Sequence, residues 1–177
     1  MKLQKNSIEN QAISYGKHKI YMCMRGTSIL SSKWDDRFLA LAWHIGTWSK
    51  DPSRKIGAVA VAQNRQILAT GYNGFPRNIL DDPQRYEMRE IKYKYVVHAE
   101  MNLIYNATEN GVSLHDSTVY VHGLPVCSEC AKGLIQVGVS RVVAFSKESP
   151  ERWIESTKLT NELFDEAGIQ YDYAEVQ

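Results

Sequence analysis

Cysteine is scarce in this sequence, with three residues among 177 (Cys23, Cys127 and Cys130), and no apolar signal segment opens the chain. A small scaffold stapled by disulfides is therefore excluded, and the expectation is a protein of a reducing, cytoplasmic compartment. Charge of one sign is lacking as well: 21 Lys+Arg stand against 20 Asp+Glu, a formal net charge of +1. Without a global positive field the chain has no general means of collecting nucleic acid by counterion release, so a small molecule is the expected partner and nucleic acid is not. Long hydrophobic runs are missing too. The longest, such as Phe38 to Ile45 and Ile56 to Ala62, stop far short of the roughly 20 residues a membrane span needs, and neither repeats nor low-complexity tracts occur. What is present is the 44% hydrophobic and 23% charged content of an ordinary packed domain, in a length that suits one core.

Residues 1–30 scatter Lys, Asn, Ser and Gln without sustained periodicity and read as an N-terminal tail or arm, with the domain expected over residues 31–177. Ser31 and Ser32 suit a helix N-cap. Beyond them Trp34, Phe38, Leu41, Ala42, Ile45 and Trp48 recur at three- and four-residue steps as one buried face, so Trp34, Trp43 and Trp48 are assigned to helix packing. Asp51-Pro52 stops this helix near Ser49. Ile56 to Ala62 and Gln66 to Tyr72 read as antiparallel strands joined by a turn at Gln63-Asn64-Arg65. Asn73 to Val97, with two prolines, many charges and several tyrosines, reads as a long functional loop. After it the pattern alternates: helix from about Ala99 to Asn110, strand Thr118 to His122, helix Ser128 to Val137, strand Arg141 to Phe145, helix Glu151 to Ala167, and a last strand near Ile169 to Tyr173. Such alternation implies an α/β fold, a mixed sheet with helices on both faces.

His98-Ala99-Glu100 and Cys127-Ser128-Glu129-Cys130 fall at two predicted junctions where helices begin. Alone, Cys-x-x-Cys reads as a structural zinc half-site or a redox pair, and a single histidine as a core or surface residue. Together, one imidazole and two thiolates make a three-ligand zinc site whose fourth tetrahedral position stays open, the arrangement of a catalytic metal. Helix N-termini favour the thiolate form of both cysteines. A closed structural site needs a fourth protein ligand; Cys23 lies in the tail, and His115 and His122 remain as alternatives.

These residues resemble the zinc-dependent nucleobase deaminases, whose signature is His-x-Glu followed by Pro-Cys-x-x-Cys. Within that superfamily the stretch from Trp34 to Phe145 looks most like the deoxycytidylate (dCMP) deaminases. The likeness runs through Ser49-Lys50-Asp51-Pro52-Ser53, Ile56-Gly57-Ala58, Gly71-Tyr72-Asn73-Gly74 with Pro76-Arg77, Lys92-Tyr93, Tyr95-Val96 and Asn102, and continues in Cys130-Ala131-Lys132. Three departures stand out: Val126 between Pro125 and Cys127, Asn78 where the family often has Gly, and Asp82-Pro83-Gln84-Arg85 in place of a Leu-Pro-Trp stretch. The resemblance implies a three-layer α/β/α sandwich with a mixed five-stranded sheet, one zinc per chain held by His98, Cys127 and Cys130, and Glu100 as the proton shuttle of hydrolytic deamination, dCMP giving dUMP and ammonia. It further implies Asn73 at the sugar or base. Arg54, with Lys50 nearby, suits the 5′-phosphate because a guanidinium fork matches phosphate geometry, with Ser53 and Tyr95 as further pocket residues. By the same resemblance the chain is a homo-oligomer, up to a hexamer, regulated by dCTP and dTTP with Mg2+ near Gly74, Arg77 and Arg85. Deamination of another cytosine nucleotide such as dCTP, or of a nucleic-acid base, is the alternative. A zinc-containing scaffold without turnover is disfavoured by Glu100, which a scaffold does not need.

Overall fold

The computed structural model describes residues 14–15, 18–19, 33–145 and 151–174; Cys23, Ser31 and Ser32 lie outside them. The chain divides into residues 1–30 and residues 31–177. In the first unit, where the sequence reads as a tail, β1 (Ser14–Tyr15) pairs antiparallel with β2 (His18–Lys19).

The second unit runs α1 (Lys33–Gly46), β3 (Gly57–Val61), β4 (Ile67–Tyr72), α2 (Pro83–Glu87), α3 (Arg89–Tyr95), α4 (Ala99–Glu109), β5 (Thr118–His122), α5 (Ser128–Gln136), β6 (Arg141–Phe145), α6 (Ile154–Ala167) and β7 (Gln170–Ala174). One sheet carries five strands in the order β4-β3-β5-β6-β7. Strand β3 is antiparallel to β4 and β5, whereas β5, β6 and β7 are parallel.

Period-two alternation decides which helix each strand residue meets. Ala58, Ala60, Val119, Val121 and Val142 join one core with Leu103 of α4, Leu134 of α5 and Phe164 of α6. Val59, Val61, Tyr120 and Val143 point the other way, onto Phe38, Leu39, Ala42 and Ile45 of α1. With both faces covered, the strands read as continuous apolar runs, and the expected three-layer sandwich results. Two glycines set its tightness. A Cβ at Gly57 would meet the carbonyl oxygen of Ala42 at 1.9 Å, and one at Gly71 would meet the carbonyl oxygen of Ala99 at 2.3 Å, so α1 and the first turn of α4 press directly on β3 and β4. Among the described residues no helix is long and apolar enough to cross a membrane.

Two expectations are corrected. The tryptophans assigned to packing are largely outside the core: Trp34, Trp43 and Trp48 are 37%, 56% and 53% exposed. Helix α1 ends at Gly46, which leaves Trp48 beyond its buried face, and Trp34 instead stacks on Phe38 with Arg37 and Arg65 over its ring. The long loop also contains structure. Asp82 caps α2 by accepting from the Gln84 amide, Pro83 occupies the first turn, and α3 follows at Met88. Asn78 adopts φ +65°, a left-handed conformation that Asn tolerates and Gly prefers. The insert is closed at its base by paired backbone bonds, Gly74 N–H to Val97 at 3.1 Å and Val97 N–H to Gly74 at 2.8 Å.

A charged network fastens α1 to the sheet. The buried carboxylate of Asp35 accepts from the Tyr120 hydroxyl at 2.7 Å and from Arg141 at 2.8 and 3.2 Å, and Arg141 also donates to Asp172 on β7 at 2.8 Å. Burial, then the bond to Asp35, holds the Tyr120 phenol well above its ordinary range. Arg141→Met takes a guanidinium away from the buried Asp35 carboxylate and is expected to lower unfolding free energy by up to about 3–5 kcal/mol, the loss on breaking a buried pair. Tyr120→Phe, which removes a single charge-assisted bond, is expected to lower it by about 1.5–3 kcal/mol. Urea titration of both variants checks the ranking.

Candidate functional site

His98 and Cys127 are the capping residues of α4 and α5. Each has extended backbone and passes its carbonyl to the first turn of its helix, to Asn102 N–H and Ala131 N–H, both at 2.9 Å. Cys130 lies in the first turn of α5, and its own amide points at the Cys127 sulfur at 3.5 Å. The two helix starts therefore converge. His98 Nδ1 sits 3.3 Å from Cys127 Sγ and 3.4 Å from Cys130 Sγ, and all three donor atoms lie within 4.8 Å of one another. With zinc–nitrogen bonds of about 2.0–2.1 Å and zinc–sulfur bonds of about 2.3 Å, one ion reaches all three.

The electrostatics suit a cation. Hydrogen bonding from the Cys130 thiol and from His98 pulls the Cys127 thiol down to about 4 against the opposing effect of burial. The same Cys127 contact raises His98 to about 8, while the shared interaction and burial drive Cys130 upward. The depressed Cys127 thiol favours the thiolate form that a metal cation requires of its ligand. Glu100, in the first turn of α4, is 4% exposed, and burial pushes its carboxyl up to about 6.

A cavity opens from this cluster. His98, Glu100 and Cys127 line one part of it, and Asp51, Arg54, Asn73, Lys92, Tyr93, Arg152 and Trp153 contribute to the rest. The guanidinium groups of Arg54 and Arg152 have no ion-pair partner among the described residues; Arg152 lies 6.0 Å over the Trp153 ring. Two arginines without ion-pair partners thus line one cavity, and a guanidinium matches the geometry of an anionic ligand such as a phosphate.

Of the residues singled out by sequence, the structure brings His98, Glu100, Cys127, Cys130, Arg54 and Asn73 together. Asn73 spends both amide hydrogens within the chain, on Asp51 at 3.3 Å and the Arg54 carbonyl at 2.9 Å, and its Oδ1 accepts from Ile56 N–H at 2.8 Å. Lys50, Ser53 and Tyr95 are not among the cavity's lining residues. Lys50 reaches away to Asp81 at 2.7 Å, Ser53 gives its amide to Asp51 at 2.8 Å, and Tyr95 packs against Phe75 with Arg85 4.8 Å over its ring. Gly74 belongs to the clasp of the insert, and Arg77 donates to Asn106 Oδ1. His115 pairs with Asp116 and His122 stacks on Phe145, both apart from the three-donor cluster. Sequence reading missed Asp51, Lys92, Arg152 and Trp153 as cavity residues. Asp51 registers in sequence only as a helix stop and part of a motif, and Lys92 only as part of a motif. Arg152 and Trp153 carry no local signal; a 3₁₀ turn ahead of α6 brings them to the cavity, with Trp153 6.3 Å from the His98 ring.

Residues 32–146 match the family described as the cytidine and deoxycytidylate deaminase zinc-binding region. A probable deoxycytidylate deaminase of Drosophila melanogaster is 38% identical over 148 residues, 78% of this chain and 70% of that protein. The deoxycytidylate deaminase of Homo sapiens is 35% identical over 146 residues, 78% of each. Among solved structures, the dCMP deaminase of cyanophage S-TIM5 in complex with dCMP and dUMP superposes with a TM-score of 0.62 at 22% identity, covering 81% of this chain and 98% of that one, which supports the fold.

Cys127→Ala and Cys130→Ala are expected to lose bound zinc and to melt at lower temperature, because ligand binding is partly folding free energy. Glu100→Gln is expected to retain both metal content and melting temperature. Atomic absorption on purified protein, with melting curves before and after chelation, checks the division.

Proposed function

The chain belongs to the cytidine and deoxycytidylate deaminase family, and from that premise we propose that it hydrolyses dCMP to dUMP and ammonia. The observation that carries the reading is the composition of one cavity: a buried carboxyl beside a His-Cys-Cys cluster, and two guanidinium groups without acidic partners. The first arrangement suits hydrolysis of an aromatic amine, and the second suits a phosphate.

His98, Cys127 and Cys130 hold the zinc. When bound there, zinc supplies Lewis acidity and makes a water nucleophilic near neutral pH. The remaining work falls to side chains. Glu100 takes the proton released as water adds to C4 of the cytosine and delivers it to ring N3. It then takes the proton of the hydroxyl added at C4 and passes it to the exocyclic nitrogen, as the C4–N bond breaks, the C4 carbonyl forms and ammonia leaves. Burial of Glu100 keeps bulk water from competing for that proton. Arg54, assisted by Arg152, binds the 5′-phosphate, and Asn73 forms the wall at the sugar, where Oδ1 is the one amide atom with spare bonding capacity.

The same reading extends to regulation. The chain acts as a homo-oligomer, and nucleoside triphosphates with Mg2+ engage the insert near Gly74, Arg77 and Arg85. Velocity against dCMP concentration is expected to shift leftward with dCTP and rightward with dTTP; hyperbolic curves unmoved by either remove the effector site and leave the catalytic assignment standing.

The test of function is release of ammonia from a panel of cytosine nucleosides, nucleotides and oligonucleotides by zinc-loaded protein. Turnover is expected to be highest on dCMP, and preference for an oligonucleotide overturns the reading. Glu100→Gln is expected to lower kcat by about 10²-fold or more, on the order of what positioned acid–base groups contribute. Arg54→Ala is expected to raise KM for dCMP by roughly 10- to 100-fold, the worth of a charged hydrogen bond, while the use of deoxycytidine stays unchanged.

A further inference from the structure

The acid nearest Arg54 in the chain is Asp51, and it is tied up. Asp51 is 2% exposed. Its carboxylate accepts from Ser53 N–H at 2.8 Å, Arg54 N–H at 3.3 Å and Asn73 Nδ2 at 3.3 Å, which folds residues 51–54 into a tight turn around it. The balancing charge comes from the far end of the insert: Lys92 of α3, 8% exposed, places its ammonium 2.8 Å from each carboxylate oxygen. Both residues line the cavity.

We propose that Lys92 is a positioning residue for the nucleotide's phosphate, acting by neutralising Asp51 so that the guanidinium of Arg54 stays uncommitted and faces the ligand. The Arg54 amide already touches the Asp51 carboxylate, so the Arg54 side chain starts within folding-back distance of that anion. A buried carboxylate without its cation is strongly unfavourable, and Arg54 is the neighbour best placed to relieve it. Without Lys92, Arg54 turns onto Asp51 and is lost to the ligand. The insert thereby governs affinity for the phosphate end through one ion pair, without itself touching the phosphate.

This inference rests on the dCMP reading, and its test separates the two. Zinc-loaded full-length protein is assayed on dCMP and on deoxycytidine as wild type, Lys92→Met, Lys92→Arg and the neutral pair Lys92→Met with Asp51→Asn. Lys92→Met is expected to raise KM for dCMP by roughly 10- to 100-fold, as removal of an Arg–phosphate contact does, and to cost deoxycytidine, which lacks the phosphate, far less. Lys92→Arg is expected to keep KM low. The neutral pair is expected to recover most of the KM loss, because the amide oxygen introduced by Asp51→Asn still accepts from Ser53 and Arg54 N–H and no longer attracts Arg54, while the bond from Asn73 is given up. Should Lys92→Met fail to fold, Lys92→Gln, which keeps a donor for Asp51 and removes the charge, carries the same comparison. Equal losses on dCMP and deoxycytidine, or no recovery in a folded neutral pair, overturn the proposal. A wild type that ignores dCMP overturns the reading beneath it.

Discussion

Helices α4 and α5 begin at one point on the sheet, and the residues that begin them are the metal donors. Each cap commits its carbonyl to its helix, and its side chain, standing at the end of the axis, is free to meet a group outside the helix. Two caps brought within bonding range of one ion therefore hold a donor geometry that neither helix sets alone. What brings them there is strand packing: Gly71 lets the first turn of α4 lie directly on β4, and the parallel pairing of β5 with β6 delivers α5 beside it. Glu100 inherits its depth from the same contact.

The rest of the cavity is governed by which charges are spent. Asp51 is neutralised by Lys92, Lys50 by Asp81, and Asp35 by Arg141. These pairs have different physics. The exposed Lys50–Asp81 pair is worth little, whereas Lys92–Asp51 is buried on both sides and each partner depends on the other; Arg141–Asp35 buries its carboxylate and leaves its guanidinium partly exposed. Arg54 and Arg152 are left over, and both line the same cavity. Net charge near zero conceals this, since a formal charge of +1 over the chain says nothing of two cations beside one cavity.

The framework was legible because its signals are local. Alternation in β3 and β5, the steps Phe38, Ala42 and Ile45 in α1, and the spacings His-x-Glu and Cys-x-x-Cys each lie within a few residues, and each keeps its meaning in the fold. The failures share a cause. Trp34 and Trp48 fit the helical period but sit in its first turn or past its end, where periodicity no longer reports burial. Helices α2 and α3, of five and seven residues, are too short for a period to register, although Asp82-Pro83 carried the start signal. The pairing of Asp51 with Lys92 spans 41 positions, and nothing in either neighbourhood announces it. Arg152 and Trp153 become cavity residues only once β6 has been laid beside β5.

The clasp between Gly74 and Val97 bears on how such a chain changes over generations. The insert leaves and re-enters the domain at adjacent points, held by two backbone bonds. The entropy of closing it grows only slowly with its length. Residues inside the clasp and ahead of α3 can thus be gained, lost or exchanged with little strain passed to Asn73 on one side or His98 on the other. The chemistry and the insert are separable inheritances here: lineages sharing one deaminating centre can carry different segments at the same doorway, and an introduced peptide or reporter belongs at that doorway for the same reason.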